Sequence, residues 1–231
     1  MPNGEELMQD VRRVYESIRS LHSVAIWELS FEDSGDYEKS LLQWEMWFKN
    51  PRLRIDAKPL TVPTDEAVLW PSTIIADGVY EYRFSHGRWT KTRPGNPVGL
   101  LAIHGLFDRP TYTSDPREGE LCGRRVWVVQ GRVWDCVAAT WWIDKDCLTV
   151  RKYKLERKQE LPSGTDLSPA AELVTAVVVE FQTFEPGVEV PDERFSVPSD
   201  IPLEKWPMFA VFEDLLHLMR RAQHEGGGLG S

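Results

Sequence analysis

Three cysteines in 231 residues, Cys122, Cys136 and Cys147, are an odd number, so a complete intramolecular disulfide framework is excluded. No Cys-x-x-Cys occurs, and His22, His86, His104, His217 and His224 are scattered without metal-type spacing, so no metal and no cofactor is expected. Glu180, Glu185 and Glu189 lack the fixed spacing of a calcium loop. With a net charge of -9 and no Lys/Arg block interleaved with exposed-looking aromatics, nucleic acid and anionic lipid surfaces are poor partners. No apolar run reaches the roughly 18 residues of a membrane span, and the opening MPNGEE has neither the basic nor the apolar region of a signal peptide. A nucleophile beside a base, a phosphate-cradling glycine loop and long βαβ units are missing too, which argues against an enzyme and against a Rossmann or barrel fold.

What the chain has in quantity is tryptophan. Ten of them run from Trp27 to Trp206, enough to line a large core or a cavity. The densest stretch, residues 124–158, reads as three consecutive strands and as the centre of an antiparallel meander: residues 125–130 ended by Gly131, then 133–143, then 147–157. A two-residue loop closed by Ile143 and Asp146 would set Trp142 opposite Cys147 and Ala138 opposite Arg151. One face then carries Trp134, Cys136, Ala138, Thr140 and Trp142, the other Val133, Val137, Ala139, Trp141 and Ile143. Neither face is simply polar. Such a sheet must be covered on both sides, or curl until its concave face encloses a cavity.

Leu7, Val11, Val14, Ile18 and Leu21 recur at helical spacing and predict an amphipathic helix over about 5–22. A strand follows at 24–31, its alternation shifting between Ile26 and Trp27. In the next, 39–49, Leu42, Trp44, Met46 and Phe48 share one face. Arg52 and Arg54 beside Asp56 read as a solvated strand face. Residues 58–71 read as a loop, and 74–92 as two hairpins turning at Asp77-Gly78 and His86-Gly87. The apolar, glycine-containing run 98–107 reads as one or two short helical turns, 111–123 as a polar loop, and 191–198 as a short strand between prolines. Phe209, Phe212, Leu215, Leu216 and Met219 predict a second amphipathic helix over about 207–223. The order predicts the α+β class and a single domain over 1–225, with 226–231 a flexible tail or cloning linker.

Several pieces in this order carry a likeness: SLHS at 20–23 closing the first helix, Trp44 to Lys49 followed by PRLRID at 51–56, and ADGVY at 76–80. WWID at 141–144 with LTVR at 148–151, and PDERFSVP at 191–198, complete it. The chain resembles the LolA-like lipoprotein-carrier superfamily over nearly all its length to about Pro202. The resemblance implies a curved antiparallel sheet forming an incomplete barrel, its concave face an apolar pocket for acyl chains, with short helices as a lid at 98–107. The implied ligand contacts are Trp27, Trp44, Met46, Phe48, Trp134 and Trp142 on the sheet, and Leu100, Leu101, Ile103, Leu106 and Phe107 in the lid. The implied partner is a lipid or an acylated protein, bound without catalysis. The implied place is the periplasm or cell envelope, with the export signal absent from this chain; a cytoplasmic protein is the alternative. A second functional reading keeps the tryptophans as a filled core and makes the 207–223 helix the docking surface for a protein partner or a second copy.

Overall fold

The computed structural model describes residues 3–33, 36–61, 73–85, 87–92, 111–112, 114–133, 137–160 and 172–203. The predicted lid at 98–107, the 207–223 helix and Trp134 lie outside these residues. The chain opens with α1 (Gly4–Ser17), started by a capping box in which Asn3 accepts from the Glu6 backbone at 2.9 Å and Glu6 reaches back. The helix is shorter than its periodicity predicts. Ile18 is already extended, and Leu21 pairs in the first strand, so its burial belongs to the sheet. The buried stripe is Leu7, Met8, Val11 and Tyr15.

Among the described residues twelve strands form one open antiparallel sheet. They are β1 (Ser20–Asp33), β2 (Asp36–Lys49), β3 (Arg52–Thr61), β4 (Thr73–Ala76), β5 (Glu81–Ser85), β6 (Arg88–Thr92), β7 (Thr111–Tyr112), β8 (Arg117–Leu121), β9 (Arg124–Val133), β10 (Val137–Asp144), β11 (Val150–Glu160) and β12 (Glu172–Pro186). The order is β6-β5-β4-β3-β2-β1-β12-β11-β10-β9-β7, with β8 also on β9. The centre is therefore the β1–β12 pair, not the β9–β11 meander, which forms one wing. Local pattern detects strands but not a pairing between the two ends of the chain.

Three further expectations change. The alternation of β1 is unbroken, with Leu21, Ser23, Ala25, Trp27 and Leu29 all buried. The irregularity lies in its partner: Val24 pairs with Thr183 and Ala25 with Phe181, leaving Gln182 as a bulge. Gly131 does not close a hairpin but sits inside β9, opposite Ala139 and Tyr112. The polar stretch before it is not all loop, since β8 pairs with β9 through the Cys122-Gly123 turn, where both residues have positive φ.

The concave face carries one continuous core that runs from Ile74 and Ala76 of β4 to Val129 and Val133 of β9, with α1 packed on it. The outer face of β2–β6 holds a second, smaller core of Trp47, Ile75, Tyr82, Val190 and Phe195. Its cover is the segment after β12. The predicted strand at 191–198 is instead a 3-10 turn, Asp192–Phe195, because Phe195 is drawn into this cluster while Asp192 faces Lys49 and Arg52. Arg52 and Arg54 are thus anchors rather than a solvated face. Arg52 bonds Asp192 at 2.7 Å and stacks on Phe195, while Arg54 donates to the Arg194 carbonyl at 2.9 Å.

His22 lies at the edge of this outer cluster, stacked on Trp47 at 5.6 Å with Glu185 at 2.9 Å and Glu45 at 3.0 Å. Burial pulls its pKa down, but the two carboxylates outweigh that and hold it above the ordinary imidazole value. A raised folded-state pKa contributes stability that is complete below the unfolded value, near 6.5, and is lost as pH rises through the folded one. Thermal melts should therefore show wild-type stability falling as pH rises from about 6.5 through the folded-state value, and His22→Gln should flatten that slope.

The β10–β11 turn is longer than two residues. Asp144 is buried and organises it: its carboxylate accepts from the backbone of Asp146 at 2.9 Å and Cys147 at 3.4 Å, and from Arg151 at 3.1 Å. Burial would raise its pKa, but these donors hold it below the ordinary carboxylate value. Asp144→Ala should destabilise the protein by about 2–3 kcal/mol in urea titrations at pH 7. The difference from wild type should shrink as pH falls from about 4 through the folded-state value.

Candidate ligand-binding site

The β1–β2 register sets Trp27 opposite Leu42, Ala25 opposite Trp44, Ser23 opposite Met46 and Leu21 opposite Phe48. Four of the predicted contacts, Trp27, Trp44, Met46 and Phe48, therefore share the concave face, and all are buried. Trp27 and Trp44 are diagonal neighbours and stack, with centroids 4.0 Å apart and planes at 22°. Aromatic pairs at this distance contribute about 0.5–1.5 kcal/mol beyond burial.

Trp142 does not join them. It stands on the opposite face of β10, half-buried, with the Lys152 ammonium 5.7 Å from its ring. Trp141 takes the concave position and is fully buried. The reason lies in the turn: Ile143 pairs with Val150, not Asp146, and a register shift beside it places Trp141 opposite Tyr153. The signal was available, because Val137, Ala139, Trp141 and Ile143 contain no polar residue whereas Ala138, Thr140 and Trp142 do. Leu100, Leu101, Ile103, Leu106, Phe107 and Trp134 lie outside the described residues.

Successive registers now align one row across the sheet. Leu42 faces Trp27, Trp27 faces Val179, Val179 faces Tyr153, Tyr153 faces Trp141, and Trp141 faces Val129. Six strands thus contribute one buried side chain each, none more than 3% exposed. Tyr153 meets Trp27 edge-on at 6.3 Å and 86°. Sequence reasoning missed Tyr153, which lies in a run of charged residues.

This apolar face also buries polar atoms. Trp27 Nε1, Trp44 Nε1 and Tyr153 Oη are buried and, among the described residues, have no hydrogen-bond partner. Each such group costs about 1–3 kcal/mol. Tyr15 differs, since its Oη accepts from the Val150 backbone at 3.0 Å and ties α1 to β11. Burial pushes the phenols of Tyr15 and Tyr153 well above the usual range, so both are neutral. Among the described residues no cluster of His, Cys, Asp or Glu is arranged to hold a metal ion, and no helix is long and apolar enough to cross a membrane.

No family model and no curated protein matches the chain. Among solved structures it is similar to a LolA superfamily protein from Nitrosomonas europaea, at 10% identity and a TM-score of 0.35, over 85% of this chain and 99% of that one. It is similar to LprF from Mycobacterium bovis at 14% identity and a TM-score of 0.40, over 82% and 96%. A conserved protein from Thermus thermophilus aligns at 10% identity and a TM-score of 0.47, over 87% and 98%.

Trp141→Ala should cost about 3–5 kcal/mol of stability, the range for emptying a large aromatic site. Trp142→Ala should cost under about 1.5 kcal/mol. Chemical denaturation of the two variants checks the assignment of faces, and the reverse order would overturn it.

Proposed function

We propose that this chain binds or carries a hydrophobic or acylated ligand on the concave face of its sheet, without catalysing a reaction. The observation that supports this reading is the extent of the apolar face. It is continuous from β4 to β9, eight strands in the sheet order. Eight strands at about 4.8 Å span roughly 35–40 Å before curling, whereas α1, with 14 residues, is about 21 Å long and 10 Å wide. One such helix is too small to cover that face by itself, although the side chains of the face are all buried. An acyl chain suits it, because its burial is non-directional and contributes about 0.8 kcal/mol per CH₂. No nucleophile or general base is required. On the resemblance in its sequence, we place the protein's work outside the cytoplasm, in the periplasm or cell envelope.

The test is to purify the protein from a lipid-containing host and to compare native with denaturing mass spectrometry. A co-purified acyl compound near one per chain is expected. Titration with a fatty-acyl probe should then quench the tryptophan fluorescence saturably, and Trp27→Phe should reduce the quenched fraction. An empty protein with no saturable response would overturn the proposal.

A further inference from the structure

We infer that His22 is a pH-operated clasp at the exit of β12: with its proton it fastens the link at residues 185–190 to the sheet, and on losing the proton it lets that link open. The device lies on the outer face and does not depend on what the concave face binds. Nδ1 of the ring stands 2.9 Å from Glu185 Oε2, and Nε2 stands 3.0 Å from Glu45 Oε1. A carboxylate only accepts, so both nitrogens must donate, and only the protonated ring has two N–H groups. The neutral ring keeps one of them, and its other nitrogen then turns a lone pair toward a carboxylate.

The place of the ring decides what that change moves. His22 is registered with Glu185, two residues before Gly187, where φ is +81° and the N–H donates to the Ser20 carbonyl at 2.9 Å. Just beyond, Val188 and Val190 pack into the cluster of Trp47. From β2, Trp47 stacks on the ring and Glu45 bonds it. From β3, Asp56 faces Glu45 but is itself bonded by Arg54 and Thr73. From the 3-10 turn, Arg194 lies over Trp47. Among the described residues His22 is the cation paired with both Glu45 and Glu185. Glu45 is fixed between two strands, whereas Glu185 stands one residue from the end of β12 and is the more exposed, so Glu185 is the one that swings away. The far end of the cover stays pinned, since Arg52 holds Asp192 at 2.7 Å and Arg54 donates to the Arg194 carbonyl.

The experiment follows the His22 ring by NMR, assigned by its loss in His22→Gln, together with amide hydrogen exchange corrected for the intrinsic pH dependence of exchange. As the ring loses its proton, protection of the Gly187 amide should fall by at least about threefold. Opening grows by the same factor by which the closed clasp holds the proton more tightly than the open one. Protection at Ser196 and Val150 should hold over that range. Glu185→Gln should abolish the effect, because its amide can accept from the protonated ring or donate to the neutral one. In that variant the ring should lose its proton at lower pH while Gly187 stays protected throughout. Unchanged Gly187 protection across the His22 titration would overturn the clasp, and so would the same loss in Glu185→Gln. An equal loss at Val150 would mark a loosening of the whole fold and would overturn it too.

Discussion

The pairing of β1 with β12 is the constraint on which the rest of the molecule hangs. Among the described residues it joins the first strand to the last through 13 registered pairs. From this seam one wing runs outward through β2 to β6 and the other through β11 to β9. The seam also sets faces. The bulge at Gln182, where Thr183 Oγ1 accepts from the Val24 backbone at 3.0 Å, changes the parity of β12. Phe181 and Phe184, three residues apart, therefore both reach the core side, where Phe184 meets Tyr15 of α1 at 5.8 Å. Without that extra residue, the end of β12 would present its other side chains to the helix.

The two faces are stabilised by different physics. On the concave side aromatic and aliphatic side chains meet α1 with almost no charge among them. On the outer side the cluster beneath the 3-10 turn is ringed by cations that lie on aromatic faces, and Arg52, on Phe195, also reaches the Asp192 carboxylate. Arg194 sits 4.5 Å from the Trp47 ring, and Lys91 sits 3.7 Å from that of Tyr80. Such an arrangement suits a cover that stays put, since cation–π contacts add to the packing and, at Arg52, to an ion pair. Among the described residues the concave face is tied chiefly by apolar packing, with the Tyr15–Val150 hydrogen bond as a directional link from α1 to the sheet.

Much of this was legible in the sequence where the interactions are local. The capped amphipathic helix, the alternation of β2 and the Asp77-Gly78 turn are all written in neighbouring residues, and so was the shared face of Trp44, Met46 and Phe48. The failures have one cause, which is that long-range pairing decides what local pattern leaves open. β8, with the sequence REGEL, shows no alternation because it lies off the main order with few apolar neighbours, and a charged edge resists unwanted pairing. Gly131 reads as a breaker, yet it is buried between two neighbouring strands. The exchange of Trp142 for Trp141 follows from a turn that the buried Asp144 lengthens. Tyr153 could be recognised only once β11 was laid beside β12 and β10.

The central seam has a consequence for how the chain comes into being. Once β1 has been released, a ribosome must synthesise about 140 more residues before β12 emerges, which at roughly 5–20 residues per second takes on the order of ten seconds or more. Through that interval β1 can pair with β2 along one edge, while its other edge, 14 residues long and bearing Trp27 and Leu29, waits unpaired. Contacts of such sequence separation make folding slow, and an unpaired apolar edge is a template for association with other chains. The nascent protein is therefore most open to unwanted pairing between the completion of its first wing and the arrival of β12.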